Sequence, residues 1–170
     1  MARELDLIVY GATGFTGRLV AEYLAQRYGD GSVNWAMAGR SLTKLEQVRD
    51  EIGAPASTPL IAANADDPSA LKAMVERAKV VISTVGPYQL YGNELVAACV
   101  ETGTGYVDLC GEPNWMHDII ARHDAAAKAS GARIVLSCGF DSIPFDLGVW
   151  TVQQAAKAKV GQPAPRVKGR

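Results

Sequence analysis

The stretch Leu5-Asp6-Leu7-Ile8-Val9-Tyr10-Gly11-Ala12-Thr13-Gly14-Phe15-Thr16-Gly17 carries most of the architectural information in this chain. Leu5–Tyr10 is a short apolar run with the length and composition of a buried strand. Gly11–Gly17 places glycine at every third position. Beyond it Leu19, Val20, Tyr23 and Leu24 recur at helical spacing as far as Tyr28. A strand, a glycine turn and a helix in that order open a dinucleotide-binding βαβ unit. Gly11 and Gly14 let the backbone turn sharply and approach a pyrophosphate, and Gly17 lets the helix pack closely on the sheet. Free N–H groups at the helix start then face the phosphates. Contact is expected from Gly11, Thr13, Gly14, Phe15 and Thr16. The spacing, G-x-x-G-x-x-G, is one residue longer in the turn than the standard fingerprint. No Gly-Lys-Ser/Thr follows, which excludes a nucleoside-triphosphatase phosphate loop.

The same alternation continues downstream. Strands are expected at Val33–Gly39, Thr58–Ala63, Val80–Thr84, Tyr106–Leu109 and Ala132–Ser137. Between them, Ser41 caps a helix running to Ile52, and Asp67-Pro68 starts another with Asp as cap and Pro at the first helical position. Gly86-Pro87 breaks the fourth strand. Helices follow over Asn93–Thr102 and Pro113–Ser130. Asp141–Gly148 reads as a turn entering a last helix, with loop from Gly161. Right-handed crossovers between six apolar strands give an α/β doubly wound parallel sheet of the Rossmann type, order 3-2-1-4-5-6, with helices on both faces. The strands lack strict alternation, as expected of strands buried on both sides. Residues 1–150 are expected to form this domain. Residues 151–170 are expected to hold the last helix and the start of a further domain.

Composition narrows the function classes. The 170 residues are 48% apolar and 21% charged, with 17 Lys+Arg against 18 Asp+Glu and a net charge of −1. Such a chain is globular and has no general pull on nucleic acid. No stretch approaches the roughly 20 apolar residues of a membrane helix, and Met1-Ala2-Arg3-Glu4-Leu5-Asp6 does not read as a signal peptide. Cys99, Cys110 and Cys138 are too few and too widely spaced for a disulfide framework or a metal site, so a reduced, cytoplasmic setting is expected.

The end of the second strand reads Ala38-Gly39-Arg40-Ser41, with Lys44 one turn on. An acidic residue there would hold the ribose hydroxyls of NAD and repel a 2′-phosphate. Arg40 attracts that phosphate with a fork of donors, and Ser41 adds a hydrogen bond. NADP(H) is therefore expected in preference to NAD(H). Ligands on this fold lie beyond the strand C-termini. Asn64-Ala65-Asp66 is thus placed either beside the adenine or, for Asp66, in a surface turn. Gly86, Pro87 and Tyr88 are placed beside the ribose and nicotinamide. None of the six Tyr has Lys four residues later, so a Tyr–Lys proton-transfer pair is not encoded in its usual form. His117 and His123 lie away from the strand ends, and the three Trp read as core or interface. Asp108 and Glu112 either face a substrate or start the next helix. No catalytic acid is assigned.

Gly139-Phe140-Asp141-Ser142-Ile143-Pro144-Phe145-Asp146-Leu147-Gly148 resembles the segment after the sixth strand in saccharopine dehydrogenase-like oxidoreductases, most closely the trans-acting enoyl reductase branch. Gly11–Gly17, Ala38–Ser41, Val85–Tyr88 and Tyr106-Val107-Asp108-Leu109-Cys110-Gly111-Glu112 fit that family in order. The resemblance implies an NADP-dependent oxidoreductase, with Gly139, Phe140 and Asp141 closing the cofactor site near a second domain. It further implies an enoyl group on a small-molecule or carrier-bound lipid chain as substrate. Family members run to about twice this length, which is two domains. The chain is accordingly expected to be the cofactor half of an enzyme and to lack a full active site. The alternatives are a non-catalytic NADP sensor and an interaction scaffold, including a homodimer. The basic tail Lys157, Lys159, Arg166, Lys168 and Arg170 reads either as a surface that normally meets a partner or as a weak attraction to anionic lipid or an acidic carrier.

Overall fold

The structure is a computed structural model that describes residues 3–169. Met1, Ala2 and Arg170, which figure in the readings of the two termini above, lie outside the described residues. Six strands form one parallel sheet: β1 Leu5–Tyr10, β2 Trp35–Gly39, β3 Leu60–Ala62, β4 Ala78–Ser83, β5 Gly105–Asp108 and β6 Ile134–Val135. Their order is β3-β2-β1-β4-β5-β6, as expected from the sequence. The helices are α1 Phe15–Tyr28, α2 Leu42–Glu51, α3 Pro68–Val75, α4 Tyr88–Tyr91, α5 Asn93–Thr102, α6 Pro113–Ser130 and α7 Ile143–Val160.

The capping signals act as read. Ser41 Oγ accepts from Lys44 N at the start of α2, and Asp67 accepts from Ala70 N at the start of α3, with Pro68 in the first turn. Beyond β1, strand bounds shift by one or two residues, leaving β3 and β6 shorter than read, and two other elements differ from the sequence reading. The short α4 follows Gly86-Pro87 directly. The last helix begins at Ile143, because Pro144 suits a first turn; the expected turn over Asp141–Gly148 is therefore mostly helix.

Successive strand residues point to opposite faces, and the sheet divides its apolar side chains accordingly. Ile8, Tyr10, Ala36 and Ala38 join the core beneath α3, α5 and α6, with Leu71, Met74, Leu95, Val96 and Ile119. Val9, Trp35 and Met37 face the other way and pack with Ala21, Leu24, Leu45 and Val48 of α1 and α2. Helices cover both faces, but unevenly. The crossovers from β1 and β2 set α1 and α2 over the β1–β3 half. Register places Val80, Ile82, Val107 and Val135 on the α1/α2 face of the other half. There they are only partly covered, and Val135 is 50% exposed. α7 buries none of its residues. The expectation that every strand is buried on both sides thus holds for β1 and β2 and fails for β4–β6. Trp35 and Trp115 are core residues, whereas Trp150 on α7 is exposed. No described helix is long and apolar enough to cross a membrane.

Candidate nucleotide site

Parallel strands ending together leave a crevice at the point where strand order reverses. Here that point lies between β1 and β4, and a cavity of about 370 Å³ opens there. The glycine turn, the ends of β2 and β3, and the segment after β4 line it.

The glycine turn is built by close approach. Gly11 N and Ala12 N both donate to Ala38 O, at 2.9 and 3.1 Å, tying the turn to the end of β2. Gly11 sits at φ +91°, where a side chain is strained. A Cβ there would also lie 2.6 Å from Thr84 Oγ1 and 2.7 Å from Val85 Cγ2. Gly17, in the first turn of α1, is tighter still: a Cβ would lie 2.1 Å from Gly11 O. Gly14 has an ordinary φ of −81°, but a Cβ there would lie 3.3 Å from Gly11 O. It is the N-cap of α1: Gly14 O accepts from Arg18 N at 2.9 Å, and Gly14 N closes the turn by donating to Gly11 O at 2.9 Å. No side chain caps this helix. The first N–H groups of a helix have no intrahelical acceptor, so the start of α1 offers donors toward the cavity.

Thr84, at the end of β4, braces the turn. Its backbone N donates to Tyr10 O at 2.9 Å, and its hydroxyl lies 3.1 Å from Tyr10 O and 3.3 Å from Gly11 O. Burial pushes the Tyr10 phenol up to about 12, with a smaller push from the Asp66 carboxylate. Tyr10 therefore stays neutral, with its hydroxyl 3.4 Å from Ala63 O.

Across β1, Arg40 is exposed at the cavity mouth and has no ion-pair partner among the described residues. The Ser41 hydroxyl oxygen is used to cap α2, leaving its proton free to donate. The glycine cradle, the uncapped helix start and a free guanidinium together fit a dinucleotide with an extra phosphate.

The structure brings Gly11, Thr13, Gly14, Arg40 and Gly86 together around the cavity, with Asn64 and Ala65 at the β3 end. Phe15, Thr16 and Gly17 belong to α1 and lie behind or beside the turn, with the Phe15 ring 85% exposed. Ser41 and Asp66 are adjacent in sequence to lining residues and Lys44 lies one helical turn beyond Arg40, but none of the three lines the cavity itself. Pro87 starts α4, and the buried Tyr88 turns inward, its hydroxyl donating to Ser83 O at 3.1 Å. Gly139, Phe140 and Asp141 lie beyond β6; Gly139 packs on Leu109, and the exposed Phe140 ring meets Phe145. Tyr10 and Tyr91 line the cavity without having been singled out. Tyr10 was legible as a strand C-terminus. Tyr91 depended on the unforeseen α4.

Glu112 starts the next helix, one of the two readings of its position, as the N-cap of α6 with its carbonyl accepting from Met116 N at 3.0 Å, while the side chains of Asp108 and Glu112 are both engaged elsewhere. Asp108 is buried and accepts from Tyr106 Oη, Cys110 N and Ser137 N at 2.8, 3.0 and 2.8 Å. Ser137, at φ +59°, gives its N–H to this side chain instead of continuing the strand ladder. That is why β6 is only two residues long rather than running to Ser137. Burial first, then the Asp108 charge, pushes the Tyr106 phenol far up, so it remains a donor. The Glu112 side chain reaches α4 rather than its own helix. Burial raises the Cys110 and Cys138 thiols, so neither is an activated nucleophile. Among the described residues no cluster of His, Cys, Asp or Glu could hold a metal ion.

Comparison with known proteins bears on the family and the fold. Residues 7–135 match the family model of the saccharopine dehydrogenase NADP-binding domain. A trans-acting enoyl reductase of Mycobacterium leprae is 52% identical over 149 residues, which is 87% of this chain and 35% of that protein. One of Mycobacterium ulcerans is 50% identical over 148 residues, 86% of this chain and 35% of that protein. The chain thus spans about a third of the length of the curated relatives it matches. Among solved structures, the apo saccharopine dehydrogenase (L-Glu forming) of Saccharomyces cerevisiae superposes with a TM-score of 0.71 at 20% identity. That match covers 91% of this chain and 32% of the other, and it is a likeness of fold.

Proposed function

The chain belongs to the saccharopine dehydrogenase NADP-binding domain family, and on that premise we propose that it holds NADP(H), in preference to NAD(H), in the cavity between β1 and β4. The pyrophosphate lies on the glycine turn, against Gly11, Thr13, Gly14 and the N–H groups at the start of α1. Arg40 takes the 2′-phosphate, helped by the free hydroxyl proton of Ser41 and by Lys44. The Gly86 side of the cavity takes the nicotinamide half. The β3 end, Asn64 and Ala65 with Asp66 next to them, borders the adenine.

The bound nicotinamide supplies hydride chemistry. The residues of this chain bind and orient it. In the complete protein that hydride serves reduction of an enoyl group on a lipid or carrier-bound chain, a reading supported by the names of the relatives at about 50% identity. Residues 1–150 are the cofactor domain. Residues 151–170 belong with the polypeptide that, in longer relatives, carries the substrate site. The exposed Phe140, Phe145, Leu147 and Trp150 support that division, since such a set is normally covered.

The observation that carries the cofactor choice is Arg40, an unpaired cation beside a glycine turn. A charge-assisted contact to phosphate contributes about 1.5–3 kcal/mol, or roughly 10- to 100-fold in affinity. Calorimetric titration of the parent and Arg40→Ala with NADPH and NADH tests it. NADPH should bind ahead of NADH in the parent, and Arg40→Ala should remove that advantage while leaving NADH unchanged. Equal losses for both nucleotides would remove Arg40 as the selector.

A further inference from the structure

Glu112 ties the loop after β5 to a segment that lines the cavity. That segment, Thr84–Pro87, supplies three lining residues, Thr84, Val85 and Gly86, and passes into α4, which supplies Tyr91. α4 is a single turn of four residues, so its leading N–H groups have no acceptor of their own. Glu112, at the end of the loop after β5, reaches across. Its Oε1 accepts from Tyr88 N at 2.6 Å and its Oε2 from Gln89 N at 2.9 Å. One carboxylate thus satisfies both donors with charge-assisted bonds. It makes no capping bond to its own helix, α6, which opens with Pro113. The rest of the segment is gripped from below. The Tyr88 ring packs against Trp115 at 5.5 Å, and Trp115 Nε1 donates to Asn93 Oδ1 at 3.2 Å.

We propose that Glu112 is a positioning residue for the nucleotide cavity: its carboxylate holds the Thr84–Tyr91 wall in the shape that accepts the nicotinamide half of the dinucleotide. The inference rests on the nucleotide reading above and assigns Glu112 no contact with the ligand. Strand order gives it direction. Arg40 follows β2 and Thr84 follows β4, on opposite sides of β1. Glu112 therefore acts on one half of the ligand and not on the 2′-phosphate half. An amide in its place puts an NH2 group against a backbone N–H and loses both the charge and one bond. If the wall then adopts its binding shape only about a fifth of the time, apparent affinity falls about fivefold.

The test is titration of the parent and Glu112→Gln with NADPH and with adenosine 2′,5′-bisphosphate, which carries the 2′-phosphate end but no nicotinamide. Thr104→Ala is the control, a buried position at the opposite end of β5 whose hydroxyl lies 3.0 Å from Val75 O. Glu112→Gln should weaken NADPH about fivefold, leave the bisphosphate unchanged, and speed amide exchange at Tyr88 and Gln89. Thr104→Ala should lower the melting temperature without moving either affinity. Unchanged NADPH affinity in Glu112→Gln, or equal weakening of both ligands, would overturn the positioning role. A parent that binds neither ligand would instead overturn the nucleotide reading. Should Glu112→Gln fail to fold, Glu112→Asp carries the same split: it keeps the charge at shorter reach, so a smaller loss confined to NADPH is expected, and no such selectivity overturns the role.

Discussion

Replacing Gly17 by alanine sets two opposing effects against each other at one atom. Gly17 lies in the first turn of α1, and in a helix Ala is favoured over Gly by about 1 kcal/mol. Against that gain, the new Cβ would stand 2.1 Å from Gly11 O, 2.6 Å from Gly11 C and 2.7 Å from Thr84 Oγ1. Two of those atoms are backbone, and the carbonyl is already engaged by Gly14 N and lies beside the Thr84 hydroxyl. The turn itself must move. Overpacking of this kind costs about 1–3 kcal/mol, and the fixed backbone places it toward the upper end. A net loss of about 1–2 kcal/mol follows. With a urea slope of about 2 kcal/mol/M, that is a midpoint lower by about 0.5–1 M. NADPH affinity should fall about tenfold if, as proposed, the displaced turn carries the pyrophosphate. Gly148→Ala is the comparison. It is also a helical glycine, but its Cβ would meet nothing within 4 Å, so the midpoint should stay or rise. Urea denaturation followed by circular dichroism reads both. A Gly17→Ala midpoint at or above the parent's would refute the close-approach argument.

Two further substitutions test what stabilises the fold. Asp108→Ala leaves Tyr106 Oη, Cys110 N and Ser137 N without their buried acceptor and should destabilise by about 3–5 kcal/mol; Asp108→Asn, which keeps an oxygen for the two N–H groups, should cost clearly less in the same denaturation assay. Burial and, secondarily, the neighbouring Arg122 hold the His123 imidazole below its ordinary value. The unfolded chain takes up that proton near pH ~6.5 and the folded chain resists it, so this contribution is complete above that pH and is lost as pH falls below it. Melting curves between pH 7.5 and 5 should therefore flatten in His123→Gln, and an unchanged slope would exclude the imidazole as the source.

The nucleotide fold was legible because its signals are local. A strand of six residues, a glycine turn and a capped helix need only neighbouring residues to be recognised, and β1, α5 and α6 fall where their periodicity and flanking Gly and Pro place them. The helix caps at Ser41 and Asp67 are likewise short-range hydrogen bonds. Arg40 at the end of β2 follows from strand position alone. Strand order then follows from the handedness of the crossovers, which chirality dictates for any such chain.

What lay beyond the sequence depends on residues far apart in the chain. The length of β6 depends on a carboxylate 29 positions earlier taking the Ser137 N–H. The Glu112 carboxylate, 24 positions beyond Tyr88, finds α4 rather than its own helix because β4 and β5 end side by side. The exposure of Val135 reflects which side of the sheet each crossover helix occupies, a property of the whole assembly. Sequence by itself determined the parallel sheet, the glycine turn and the placing of Arg40 at the end of β2, because backbone conformation and capping are settled within a few residues. Tertiary structure alone decided which side chains share the cavity and which brace it, because those contacts exist only after distant strand ends have been brought together.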